Sequence, residues 1–210
     1  MLELYDCEVS SDAYKARLLL GLLGIAWMQR YVEYYPRRQH RSDWFLAINP
    51  RGELPVLRDA GTIVDDAHAV LVHLAQNHDP SGRWYPANDA GAHAQISRWL
   101  SFADSLRESA GAARLHDGLL QHHIDIDAAR RDAREQLAVL DEHLWFGEQE
   151  GLAWLCAPGH PTVADIACFP DVMLAEEGGI ALHAYPAIRR WTDRLKQLPG
   201  FVVMPGIFGR

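Results

Sequence analysis

The segment Asn49-Pro50-Arg51-Gly52-Glu53-Leu54-Pro55-Val56-Leu57 has the residue types of a peptide-binding loop. A proline opens its short apolar run, and proline cannot donate to a sheet ladder, so it must lie at a strand start, an edge or a bend. The Leu54–Pro55 bond is therefore a candidate cis peptide in a tight turn. Such a turn would direct the backbone N–H and C=O of Leu54 outward. These two groups could then pair with the peptide group of a ligand.

Four motifs, in order along the chain, resemble those of the cytosolic glutathione transferases, and together they cover nearly the whole sequence. They are a serine-bearing first turn at 10–17, the Gln39-His40 to Phe45 segment, the Asn-Pro-x-Gly-x-Leu-Pro loop and Pro161-Thr162-Val163-Ala164-Asp165-Ile166-Ala167. The resemblance is to serine-type bacterial members similar to the theta and beta classes. It implies that Glu53, Leu54 and Pro55 contact glutathione.

Ser10 is the first candidate for the catalytic residue that this resemblance implies. A free thiol has a pKa near 8.5, and lowering it by two units requires about 2.7 kcal/mol of stabilisation of the thiolate. A hydroxyl donor and the positive end of a helix could supply this. Ser10 stands where the first strand meets the first helix, in the pattern Ser-x-x-x-x-Lys-x-Arg. Ser11 is the alternative and a candidate glutathione contact, and Ser10 could also act as a helix cap alone.

The two ends of glutathione are expected to bind at separate places. Family members usually receive the γ-glutamyl end with an acid followed by serine, but the matching pair here is Asp66-Ala67. Loss of a hydrogen bond to a charged group costs about 1.5–3 kcal/mol, so we expect weakened binding unless the site is reshaped. For the glycine carboxylate the candidate is His40, in a basic segment that contains Arg37, Arg38 and Arg41. A solvated basic loop is the alternative.

Several other side chains are candidates for the electrophile site, for a reactive thiol or for a metal site. Trp99, Phe102 and Leu106, on the first long helix of the C-terminal half, are candidates for the electrophile site, although apolar residues at helical spacing are more often core. Cys7 is expected to be packed and unreactive. No metal site is expected, because His68, His73 and His78 are spaced by five and should fan around a helix, and because His122 and His123 should point apart.

The predicted elements form an α/β N-terminal domain and an all-α C-terminal domain. Residues 1–78 have the order βαβ and then ββα, which indicates a thioredoxin-like mixed sheet with helices. Strands are predicted at 2–5, 27–34, 55–58 and 62–64, and helices at 14–23, 43–48 and from an Asp65 or Asp66 cap to about 76. A Pro- and Gly-containing stretch separates them from an all-helical domain at 86–210. In that domain Thr162 and Asp165 predict a helix cap with a structural role.

Composition also indicates which partners and which location are expected for the protein. The chain has 210 residues, 49% hydrophobic and 23% charged, with a net charge of −8. This charge disfavours nucleic acid or an anionic membrane as partner. Three scattered cysteines and a start that reads as a strand rather than a signal peptide predict a cytoplasmic location. No run is apolar enough for a membrane span.

The resemblance implies an enzyme that activates bound glutathione as a thiolate and adds it to small hydrophobic electrophiles, with hydroperoxide reduction as a close variant and detoxification as the role. It also implies glutathione as co-substrate and a homodimer. Two alternatives remain: a glutathione-dependent disulfide reductase, and a non-catalytic binding protein that has the same fold.

Overall fold

The computed structural model describes residues 1–86, 88–117, 124–156 and 159–204. Its N-terminal half contains a four-stranded sheet in the order β2-β1-β3-β4. The strands are β1 (Leu2–Asp6), β2 (Trp27–Tyr31), β3 (Val56–Asp59) and β4 (Thr62–Val64). Strand β1 pairs with β2 in parallel and with β3 antiparallel, and β3 pairs with β4 antiparallel. The predicted mixed sheet is confirmed.

Three helices accompany this sheet: α1 (Ser11–Leu23), the short α2 (Asp43–Leu46) and α3 (Ala67–His78). Their ends follow from local chemistry. The side chains of Ser10 and Asp66 accept hydrogen bonds from the backbone N–H groups of Ala13 and Ala69 and so cap α1 and α3. Gly24 ends α1 with a left-handed φ of 66°. The predicted cis peptide between Leu54 and Pro55 is present.

Several predicted element bounds differ from the observed ones. Helix α1 begins three residues earlier than predicted, because its cap is Ser10. Strand β2 ends at Tyr31 rather than at 34, since the chain then leaves the sheet edge toward a second cis peptide, Tyr35–Pro36. Helix α3 runs two residues beyond the predicted end. The division into domains at 1–78 and 86–210 stays a prediction.

The C-terminal half is helical among its described residues. Its helices are α4 (Ala90–Leu106), α5 (Ala112–Asp117), α6 (Ile126–Gln149), α7 (Val163–Met173) and α8 (Pro186–Lys196). A five-residue π-helical turn, Arg107–Gly111, joins α4 to α5. The predicted cap of α7 is confirmed as a capping box, with the Thr162 side chain and the Asp165 side chain each accepting from the other's backbone.

The two halves share one apolar core. Helix α1 packs against both α3 and α7, and α7 also packs against α4. Leu18 and Leu19 of α1 are fully buried together with Phe169 of α7. A smaller apolar cluster around Phe45 and Val56 lies on the other face of the sheet. This packing fixes the first turn of α1 against the helical half. Among the described helices, none is both long and apolar enough to cross a bilayer.

Candidate functional site: a cleft at the N-terminus of the first helix

A cleft of about 980 Å³ opens between the two halves of the molecule. Its N-terminal wall contains the loop from Cys7 to Asp12, Leu54 and the segment from Asp65 to His68. The helical wall is formed by the following residues: Asp104, Arg107, Glu108, Gly111, Ala112, Arg114 and Leu115. The cleft therefore brings the N-termini of α1 and α3 to the same space. Two helix N-termini supply backbone N–H groups and positive dipole ends for an anionic ligand.

The loop that carries Ser10 is held from both halves. Arg17 of α1 donates from Nη2 to the Glu8 carbonyl at 2.8 Å, and it pairs through Nη1 with the buried Asp6 carboxylate. Arg114 of α5 donates from Nη1 to the Val9 carbonyl at 3.1 Å and from Nε to Glu177 Oε2 at 2.7 Å. The Ser10 hydroxyl accepts from Ala13 N at 3.1 Å, which leaves its own proton available to a ligand in the cleft.

Beneath Ser11 lies a buried charged cluster of Asp12, Lys15 and Asp171. Lys15 Nζ contacts Asp12 Oδ1 at 2.7 Å and Asp171 Oδ2 at 3.6 Å. Burial opposes the charged form of Lys15, but the two carboxylates outweigh it and raise its pKa above the ordinary value. Burial raises the pKa of Asp171, against which Lys15 and the Ser11 hydroxyl favour the ionised form. Neither oxygen of the Asp171 carboxylate has a hydrogen-bond partner among the described residues, so Lys15 is its principal charged neighbour.

The first turn of α3 forms the neighbouring part of the N-terminal wall. Asp66 is the cap of α3, with Oδ1 2.9 Å from Ala69 N, and Ala67 follows it with no hydroxyl. His68 Nδ1 lies 3.9 Å from Asp104 Oδ2 of α4, across the cleft. Burial lowers the pKa of His68, and Lys15 lowers it further. Asp66 and Asp104 therefore give this end of the cleft two carboxylates that could hold a ligand amine.

The N-terminal part of the chain matches a known protein family. Residues 4–82 match the family model described as glutathione S-transferase, N-terminal domain. The order of sheet and helices, with the serine turn and the Leu54–Pro55 bend meeting at one cleft, agrees with that match. Residues 4–82 therefore form a domain of the glutathione S-transferase family.

Relatives of this chain extend the match to the helical half. Human glutathione S-transferase theta-2 is 27% identical over 203 residues, which cover 95% of this chain and 82% of the relative. Glutathione S-transferase verG of Clonostachys rogersoniana is 29% identical over 170 residues, covering 76% of this chain and 70% of the relative. The crystal structure of a glutathione S-transferase from Xanthobacter autotrophicus superposes with a TM-score of 0.85 at 28% identity, over 98% of both chains. The predicted fold is therefore confirmed along its length.

His40 is not one of the residues that line the cleft. It is 6% exposed and stacks on Tyr34 with ring centroids 3.7 Å apart. Burial lowers its pKa, and Arg41 and Arg38 lower it further, which favours the neutral ring. Arg41 and Arg51 do line the cleft. These two guanidinium groups are better placed than His40 to meet the glycine carboxylate.

The predicted electrophile wall needs correction. Trp99 is 2% exposed and Leu106 is fully buried, and both belong to the shared core, with Phe102 packed against it. None of the three lines the large cleft, although Trp99 borders a second cavity of about 400 Å³ near His143. The physical reason is the shared helical spacing of these apolar residues, which turns them toward α7 rather than toward the cleft.

Polar residues of α4 and the π-helical turn form the wall instead. Asp104, Arg107 and Glu108 face the cleft from the stretch where the helix widens. In this turn Gly111 packs so closely on Asp171 that a Cβ there would lie 2.9 Å from Oδ1. The sequence did not identify Asp104 or Arg114 as residues of this wall. Nothing local marks Arg114, since its partners Val9 and Glu177 are distant in sequence.

Two further expectations concern side chains with reactive or ligating potential. Cys7 is buried in the small apolar cluster, and burial raises the pKa of its thiol, which agrees with an unreactive cysteine. His73 and His78 do not fan apart as expected, because both contact Asp59. The reason is that His78 is the last residue of α3, where the chain leaves the helix. His122 and His123 lie outside the described residues.

Proposed function

We propose that this protein is a glutathione transferase that holds glutathione in the cleft, stabilises its thiolate at the N-terminus of α1 and adds it to small hydrophobic electrophiles. The observation that carries the proposal is the meeting of Ser10, the Leu54–Pro55 bend and the N-terminus of α3 in one cleft. Hydroperoxide reduction by the same thiolate is a variant of this chemistry. A detoxifying role is part of the same proposal.

In the proposed binding mode the peptide lies along the N-terminal wall. Its cysteinyl N–H and C=O pair with the backbone of Leu54, flanked by Glu53 and Pro55, and its γ-glutamyl amine meets Asp66. Asp104 supports that contact from the helical side. The backbone N–H groups at the start of α3 replace the hydroxyl that Ala67 lacks. Arg41 and Arg51 receive the glycine carboxylate, with His40 buried behind Arg41.

Ser10 is proposed as the donor to the thiolate, and Ser11 is the second candidate. The support for Ser10 is that its hydroxyl lies at the cap of α1, accepts from Ala13 N and keeps a proton to donate. Donation to an anion is worth about 1.5–3 kcal/mol, and the dipole of the 13-residue α1 adds about 0.3–1 kcal/mol. Together these values reach the roughly 2.7 kcal/mol that a two-unit shift of a thiol pKa requires.

Substitution of the two serines tests this assignment. Ser10→Gly removes the hydroxyl but costs only a few tenths of a kcal/mol of capping, whereas Ser10→Ala costs about 1 kcal/mol. Both variants should bind glutathione nearly as the parent does and should lose about 10- to 100-fold in turnover with a chlorodinitrobenzene electrophile. Ser101→Ala, at an exposed position of α4, serves as the matched control. If Ser11→Ala abolishes turnover while Ser10→Gly does not, the donor is Ser11.

Calorimetry separates this function from its alternatives. Glutathione should bind at neutral pH with release of a proton, because the thiol ionises on binding. Turnover of a glutathione mixed disulfide without turnover of the electrophile would identify a disulfide reductase. Binding without either activity would identify a binding protein. Absence of glutathione binding would contradict the proposal and would mean that Ala67 disables the γ-glutamyl end.

We also propose a cytoplasmic homodimer. The three cysteines are free and buried, which suits a reducing compartment. Trp44 is 47% exposed on the N-terminal half, although apolar residues of this size are usually covered, and it is a candidate for the subunit contact. Analytical ultracentrifugation checks the dimer, and Trp44→Glu should shift the protein toward monomer if this surface is the interface.

A further inference from the structure

Asp59, His73 and His78 form a compact group on the far side of the N-terminal half from the cleft. His73 Nε2 lies 2.9 Å and His78 Nε2 lies 2.7 Å from the same oxygen, Asp59 Oδ2. Their ligand atoms all lie within 4.8 Å of one another, and this is the one such group of three among the described residues. The two imidazoles are tilted by 55° with centroids 6.3 Å apart, so they converge on one point and do not stack.

We propose that Asp59, His73 and His78 bind a divalent transition metal of borderline softness, with Zn²⁺ as the expected ion. Two imidazole nitrogens and one carboxylate oxygen are a donor set that Zn²⁺ takes in proteins. In a tetrahedral zinc site with bonds of about 2.0–2.1 Å, neighbouring ligand atoms lie roughly 3.3 Å apart. The observed separations of 2.7 and 2.9 Å therefore need to open by only about half an ångström.

The surroundings of the group favour a cation. Asp59 supplies the carboxylate of the group, with Oδ2 in contact with both imidazoles. The neighbouring Arg58 does not oppose a metal there, because it alternates to the other side of β3 and pairs with Glu3 at 3.5 Å. The three side chains are 17–28% exposed, which gives an ion access from solvent. Water would complete the coordination.

One of the proposed ligands, His73, has a further contact with Asn77. Asn77 Nδ2 donates to the His73 carbonyl at 2.9 Å and lies 3.4 Å from His73 Nδ1. The His73 ring therefore lies with Nε2 toward Asp59 and Nδ1 toward the Asn77 amide. The ligands come from the end of β3 and the C-terminal turns of α3. A bound metal would join the hairpin to the helix end.

This metal site is independent of the proposed catalysis. Helix α3 has 12 residues, so its cleft end and its metal end are about 18 Å apart. The metal would stabilise the N-terminal half and would leave the cleft unchanged. Binding and stability are consequently the measurements to make, rather than turnover.

The test is calorimetric titration of the intact chain with ZnCl₂ after removal of any histidine tag. We expect one saturable equivalent per chain, and at a free zinc concentration about 100 times the Kd we expect a rise in Tm of roughly 5–10 °C. His73→Gln, His78→Gln and Asp59→Asn should each weaken the affinity at least about tenfold, since loss of even an outer partner of a metal ligand costs 10- to 100-fold. His183→Gln, at an exposed position outside the group, is the matched control.

The absorption spectrum with Co²⁺ distinguishes this site from the cysteines. Ligation by imidazole and carboxylate gives visible bands without the near-ultraviolet thiolate charge transfer that a cysteine site would give. The proposal is wrong if no saturable equivalent binds, since the group is then only a hydrogen-bonded link. It is also wrong if thiolate bands appear, or if the three variants bind zinc as tightly as His183→Gln does. Each variant retains a polar side chain of similar size, and circular dichroism checks that it folds.

Discussion

At the scale of single residues, the cleft depends on charged side chains that are buried behind its walls. Arg17 and Arg114 approach the loop before Ser10 from opposite sides and bind successive carbonyls, those of Glu8 and Val9. A buried guanidinium is costly to desolvate, and it is retained when several acceptors satisfy it. Here the acceptors are the loop carbonyls and the carboxylates of Asp6 and Glu177. The position of Ser10 is thus fixed by both halves of the molecule.

Arg114→Met should therefore lower turnover with little loss of apolar packing. The variant removes the bond to the Val9 carbonyl and leaves the carboxylate of Glu177 without the Arg114 charge. We expect about 2 kcal/mol of lost stability, from hydrogen bonds to a charged group, and at least a tenfold fall in kcat through displacement of the loop. Urea unfolding and electrophile turnover measure the two effects.

The control for Arg114 is Arg131→Met on α6. Arg131 is 63% exposed and contacts Asp132 at 3.7 Å, an ion pair of the kind that contributes little. The Arg131→Met variant should leave both stability and turnover near the parent values. If Arg114→Met behaves like Arg131→Met, the hydrogen bond between Arg114 of α5 and the Val9 carbonyl does not contribute to turnover.

At the scale of elements, ion pairs join the end of one helix of the C-terminal half to another helix. The end of α6 is joined to α8 through Glu148, which accepts from Arg190 Nε at 3.1 Å and from Arg194 Nη1 at 3.1 Å. Arg194 also donates to the Ala153 carbonyl at 2.9 Å and so orders the following loop. Bidentate pairing of this kind is stronger than a simple surface ion pair.

Glu148→Gln should destabilise the protein by about 1 kcal/mol at pH 7, and the difference from the parent should shrink in acid. The pKa of Glu148 is lowered in the folded state, first by the hydrogen bond to Arg190. The stabilisation is therefore fully present above the unfolded-state pKa of about 4.3, and it is lost as the pH falls through the lower folded-state pKa. Urea unfolding of the parent and the variant at pH 7, 5 and 4 measures the difference in their free energies of unfolding. A difference that stays constant across this range would contradict the prediction.

At the scale of the whole molecule, the last described segment returns to the first helix. The Tyr14 hydroxyl donates to the Val202 carbonyl at 2.6 Å, across 188 positions of sequence. Gly21 of α1 lies so close to this segment that an added Cβ would be 2.4 Å from Val202 Cγ2 and 2.6 Å from the Gly200 carbonyl oxygen. The segment at 200–202 and α1 therefore pack directly against each other.

Gly21→Ala should destabilise the protein although alanine favours a helix. The helical gain is about 1 kcal/mol, while overpacking against a backbone atom and a branched side chain costs about 1–3 kcal/mol and requires the segment at 200–202 to shift. Gly147→Ala in α6 is the matched control, because its Cβ would meet only Leu152 at ordinary contact distances, 3.6 Å from Cβ and 3.9 Å from the carbonyl oxygen. That variant should gain about 0.5–1 kcal/mol. Thermal unfolding of both variants measures the contrast, and a stabilised Gly21→Ala would contradict the packing described here.

Features governed by neighbouring residues were predictable from the sequence. Proline restricts the backbone directly, and hydroxyl and carboxylate side chains cap the helices that follow them. The Leu54–Pro55 bend and the cap at Thr162 were therefore predicted correctly, and the cap of α3 was predicted to be Asp65 or Asp66, of which the structure shows Asp66. The order of strands and helices followed from the same local signals together with the family motifs. The catalytic role of Ser10 stays a prediction, because no local signal distinguishes a cap from a donor.

Features that depend on distant partners were decided only by the tertiary structure. The hydrophobic spacing of Trp99 and Leu106 predicted a buried face but not which neighbour covers it, and α7 covers it instead of the cleft. The approach of Arg114 to Val9 and the convergence of His73 and His78 on Asp59 join residues from separate elements. Sequence periodicity gives the direction of a side chain relative to its own helix, whereas a site requires the relative placement of helices, which the shared core sets.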